Sequence, residues 1–115
     1  MAKFERNMNV SAGVIAAYLD DGIRASGMSV ELVDSSVTRM GDISVWLFVY
    51  DKYYMRTSSR AALSVQIVGN GECSNITAIA AGGGTGSFLS FSYGAEENFV
   101  SVVEQLLSEY SRSRM

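Results

Sequence analysis

The chain has 115 residues, 48% of them apolar and 18% charged, with a formal charge of −3 at pH 7 and a pI near 4.8. That length fits one domain able to bury roughly two-thirds of its unfolded surface in a single core, and the composition is too apolar for a disordered chain. The acidic balance, with nine scattered Lys and Arg, argues against nucleic acid or an anionic membrane as the main partner, while one cysteine (Cys73) and no histidine exclude an intramolecular disulfide and a multi-thiolate zinc site and remove the commonest general base.

The opening "MAKFERNMNVS" has no apolar segment behind its charges, and no window approaches about eighteen uninterrupted apolar residues, so a soluble, cytoplasmic protein is expected. Residues 3–8 alternate Phe4, Arg6 and Met8 with polar neighbours and predict a short strand. Asn9 or Ser11 can cap a helix running from Val10 to about Ala25, whose stripe is Val14, Ile15, Tyr18, Leu19 and Ile23, with Gly27 as a left-handed stop. Four or five strands follow: residues 28–33, 42–55, 61–68 and 74–81, with a further one near 35–40 left open. Asn70-Gly71 is a hairpin signal, and with these two as the turn residues Leu63, Val65, Ile67, Ile76 and Ala78 share one face. Residues 87–93 alternate again as a strand. A second helix then begins with Glu96 and Glu97 in its first turn and carries the stripe Phe99, Val102, Val103, Leu106 and Tyr110. The expected architecture is α+β: an antiparallel meander with two helices on one face, in the order β-α-β-β-β-β(-β)-α, forming one domain over residues 1–110 and a frayed tail at 111–115.

One stretch, "GGGTGS" at Gly82 to Ser87, resembles the glycine signature of tubulin and its bacterial relatives, in which a loop between strand and helix holds nucleotide phosphates on its backbone amides. Phe88 stands where that signature has another glycine, and those GTPase domains are much longer than this chain. A phosphate loop needs a helix N-terminus directly behind it; with a strand predicted at 87–93, a hairpin turn is the expected reading. The other phosphate templates fail as well, because Ser87 replaces a required glycine and no lysine follows.

Remaining chemistry is sparse. Asp20-Asp21 and Glu96-Glu97 are sequence neighbours and so point to different parts of a helix surface. Cys73 has no basic residue near it in sequence, and the only lysines, Lys3 and Lys52, leave little to activate a serine. No catalytic residue, cofactor site or metal set is assigned. The long strand is different: Ile43, Val45, Leu47 and Val49 alternate with Trp46, Phe48, Tyr50 and Tyr54, so both of its faces are apolar. Pairing Val49 with Val65 and Leu47 with Ile67 puts those residues in the core and leaves Trp46, Phe48 and Tyr50 on the uncovered side, beside Gln66. Uncovered aromatic surface marks an interface, and the candidates are Trp46, Phe48, Tyr50, Tyr54, Arg60 and Gln66. The alternatives are that the sheet curls strongly, or the 34–42 segment folds over it, so that these rings are ordinary core, or that they line a ligand groove.

"AKFER", "VYDKYYM", the Ala-Gly-Gly turn after "ITAI" and "YGAEENFVSVVEQLL" together resemble, over nearly the whole chain, a family of small uncharacterised bacterial proteins with a domain of unknown function. The resemblance implies no activity. The element order also resembles TATA-binding-protein-like and helix-grip architectures, some of which enclose hydrophobic ligands, which is a likeness of fold alone. The functional expectation is a non-catalytic homo-oligomer, a dimer, joined through the aromatic face. The alternative is a module that binds a small apolar ligand between sheet and helices.

Overall fold

The computed structural model describes residues 2–54, 59–82 and 89–113. Its elements are β1 (Ala2–Met8), α1 (Ala12–Arg24), β2 (Val30–Met40), β3 (Ile43–Tyr54), β4 (Ser59–Asn70), β5 (Cys73–Gly82) and α2 (Leu89–Ser113). All neighbouring strands are antiparallel and the sheet order is β1-β5-β4-β3-β2. β2 to β5 form the meander, and β1 returns to the far edge beside β5. Both helices lie on one face, α1 over β3 and β4 and α2 over β5, β4 and β1, which is the α+β arrangement expected.

Two turns set the meander. Gly41 and Gly71 have φ of 60° and 65°, values that cost a glycine little. Each opens a two-residue turn, because Met40 pairs with Ile43 and Asn70 with Cys73. The second turn is therefore Gly71-Glu72 and not Asn70-Gly71. That moves the β4–β5 register by two residues, so Leu63 faces Ala80 and Val65 faces Ala78. An even shift keeps every side chain on its face, and Leu63, Val65, Ile67, Ile76 and Ala78 are all fully buried.

The β3–β4 register differs from the expected one by an odd step. Trp46 pairs with Ile67, Phe48 with Val65 and Tyr50 with Leu63, whereas Leu47 pairs with Gln66 and Val49 with Ser64. The two faces of β3 are thereby exchanged: the aromatic side lies under the helices and the aliphatic side lies on the open face. α1 presents Ala12 and Ala16 to the sheet beside Ile15, Leu19 and Ile23, and the Tyr50 hydroxyl reaches Asp20 of the same helix. A Cβ on Gly13 would lie 3.6 Å from the Trp46 ring, and one on Gly69 would collide with Ala12 Cβ, so α1 sits close against both strands.

Other boundaries also differ. β2 is one strand from Val30 to Met40 with a bulge between Leu32 and Asp34. The 34–42 segment therefore extends an edge and does not fold over the rings. α1 stops at Ala25 in a right-handed conformation, and Gly27 is not among the positive-φ glycines. No strand forms at 89–93, because α2 starts at Leu89 and has no acidic residue in its first turn. Glu96 lies further along, 5% exposed, where its Oε2 accepts the Gly82 amide at 2.5 Å. α2 continues through Ser111 to Ser113, where a frayed tail was expected. On α2, Phe99, Val103 and Leu107 are fully buried, while Val102 and Leu106 pack at the margin.

Candidate functional site

The open face of the sheet is laid out in rows across the strands. One row runs Lys3, Ile79, Ser64, Val49, Asp34, and the next runs Glu5, Thr77, Gln66, Leu47, Ser36. A third runs Asn7, Asn75, Val68, Val45, Thr38. Residues opposite each other in an antiparallel ladder share a face, so the helices that cover Phe48 and Tyr50 leave these rows uncovered. Leu47 is 39% exposed, Ile79 37% and Met40, at the hairpin end of the same face, 74%. β3 contributes the apolar strip because each of Ile43, Val45, Leu47 and Val49 is aliphatic.

The β1–β5 side is polar. Asn75 Nδ2 donates to Glu5 Oε2 at 3.0 Å and to Asn7 Oδ1 at 2.8 Å, and Thr77 Oγ1 donates to Asn75 Oδ1 at 3.2 Å. At the other end of the face Arg60 donates to Asp51, and that hydrogen bond raises the Arg60 pKa further above its usual value. Lys3 at one edge and Asp34 at the other are exposed. Asp34 Oδ1 accepts the Ser35 amide at 2.8 Å.

The six residues singled out from sequence divide between the two faces. Phe48 is 8% exposed and Tyr50 is fully buried. Tyr50 donates to Asp20 Oδ1 at 2.7 Å. Asp20 is also held by Arg24 at 2.6 Å, so it is a structural acceptor and not a solvated helix charge. Burial first, then the bond to Asp20, raises the Tyr50 pKa well above the usual 10.0. Trp46 lies on the helix side under the Arg39 guanidinium, 5.6 Å from its ring centroid. Tyr54, also on that side, donates to Asn98 Oδ1 at 3.2 Å, with Lys52 Nζ 4.7 Å from its centroid. Arg60 and Gln66 alone face outward on the open sheet. The rings of Phe48 and Tyr50 are buried beneath the helices and are not on the uncovered face. Leu47 and Val49 come to the open face through the β3 register, whereas Lys3, Ile79 and Asp34 join their row only through the pairing of β1 with β5 and of β2 with β3.

The glycine run extends from Gly82 into residues outside the described ones, and the turn expected at 82–85 lies there with it. A helix, not a strand, follows from Leu89, so that argument against a phosphate loop no longer holds. The absent lysine and the Glu96 carboxylate on the Gly82 amide oppose an anion there. Among the described residues no group of three or more Cys, Asp or Glu is placed to hold a metal ion, and no helix is long and apolar enough to cross a membrane.

The model of one protein family, described as "Family of unknown function (DUF6054)", matches residues 1–111. No curated protein and no solved structure matches the chain.

Proposed function

The chain belongs to this family of unknown function, and from that premise, which supplies no activity, we propose that it is a non-catalytic cytoplasmic domain that works by self-association. The observation that carries this reading is the uncovered sheet face with its aliphatic strip along β3, on which Leu47 and Ile79 stay more than a third exposed. A row of partly exposed aliphatic side chains on an uncovered sheet face supports a contact there. The contact differs from the aromatic one read from sequence: it uses the other side of β3. The test is the solution mass by light scattering over a wide concentration range. A dimer is expected at micromolar concentration, and a monomer throughout would refute self-association.

A small apolar ligand is the second reading. In its favour is an open cleft of about 570 Å³ at the β1–α1 turn, where Met8, Val10, Val14 and Tyr110 meet the polar Asn7, Asn9, Ser11 and Glu72. Such a site would lie at the end of the helix layer and not between sheet and helices. Release of a bound apolar molecule on denaturing the purified protein, detected by mass spectrometry, tests it.

A further inference from the structure

We propose that a second copy of this chain covers the open face directly, sheet on sheet, about a two-fold axis parallel to β4, so that β3 of each copy lies over β5 of the other and β2 over β1. This rests on the self-association reading and specifies its geometry. Area is the first argument. Five strands about 4.8 Å apart, with roughly ten residues each rising about 3.3 Å, present close to 800 Å². A standard interface needs about 800 Å² from each partner.

The order of side chains is the second argument. The row Lys3, Ile79, Ser64, Val49, Asp34 is self-complementary when reversed. Rotation about β4 sets Lys3 over the partner's Asp34, Ile79 over the partner's Val49 and Ser64 over its own copy. In the adjoining row Leu47 falls on the partner's Thr77. The β3 strip of each copy then covers the mixed β5 row of the other, with Val45 on the partner's Asn75, and each interface edge carries one cation–anion pair. Aligned sheets pack about 10 Å apart with strands crossing near 30°, which tilts the axis about 15° from β4. That tilt moves the edges past each other by roughly a residue or two, which the long stem of lysine spans. No other placement of the axis in the sheet plane brings Lys3 to Asp34: an axis across the strands stacks β1 on β1 and sets the acidic end of β2 on itself.

Sedimentation equilibrium on wild type, Lys3→Asp, Asp34→Lys, the double variant and Leu47→Arg tests this geometry. The altered side chains are exposed, and circular dichroism checks that each variant is folded. Each single charge reversal breaks two pairs and creates two repulsions, so the dimer dissociation constant should rise about tenfold. The double variant should return to near the wild-type value, and Leu47→Arg should be monomeric at micromolar concentration. If Leu47→Arg does not fold, the reversal pair decides alone. A wild-type dimer unmoved by the reversals and by Leu47→Arg overturns this geometry, assigns the contact elsewhere, such as the β2 edge, and leaves self-association standing. Single reversals that weaken the dimer without rescue in the double variant also overturn it, whereas a monomeric wild type overturns both readings.

Discussion

Tyr50 shows how one residue ties the two layers together. Its ring fills the core, and its hydroxyl reaches Asp20 on α1, which Arg24 also holds. Tyr50→Phe leaves a partly buried carboxylate with one donor fewer, and should cost about 1–3 kcal/mol at neutral pH. The pH dependence follows from the direction of the shift. In the unfolded chain Tyr50 ionises near 10.0, and in the folded protein it does so well above that. Between those values the unfolded state binds fewer protons, so the stability contributed by Tyr50 is intact below about pH 10 and lost as pH rises beyond it. Urea midpoints between about pH 7 and pH 11 should fall steeply for wild type and less steeply for Tyr50→Phe. Burial raises the Tyr18 and Tyr54 pKa values in the same direction, so some alkaline decline remains in the variant.

Among the elements, β3 is the one whose existence was legible and whose orientation was not. Its β-branched and aromatic run marks a strand, yet with Val45, Leu47 and Val49 on one side and Trp46, Phe48 and Tyr50 on the other, no polarity tells inside from outside. β4 is the contrast: Ser64 and Gln66 alternate with Leu63, Val65 and Ile67, so its core face was readable, and an even error in the β4–β5 turn left it intact. α2 was misread at its start because Phe and Ser alternate over 88–92 like a half-buried strand, although the described part of that stretch is helical. The β3 assignment predicts what Trp46→Glu does. A charge on the helix side, beside Gly13 and the core, should destabilise the fold by several kcal/mol, seen as a lowered urea midpoint. A soluble variant of unchanged stability would return Trp46 to the open face.

At the scale of the molecule, two helices cover one side of a five-stranded sheet and leave the other uncovered. If the edge pairs Lys3–Asp34 contribute as proposed, raising salt from about 0.05 to 0.5 M should weaken the dimer only a few-fold, because rim charges are screened and the burial of the β3 strip against β5 is not. A dimer that dissociates completely over that range would make charge, not the β3 strip, the main source of the contact. The class, the element order, most of each helix stripe and the core face of β4 and β5 follow from the sequence, since each is written in a local period of two or 3.6 residues; Val14, in the α1 stripe, is exposed, and Leu107 takes the core position read for Leu106. Only the tertiary structure decided which face of β3 is inside. Both of its faces are apolar, so the choice depends on what packs against them across the layers, Gly13 beside Trp46 and Asp20 on the Tyr50 hydroxyl, contacts between residues some thirty positions apart that no local pattern records.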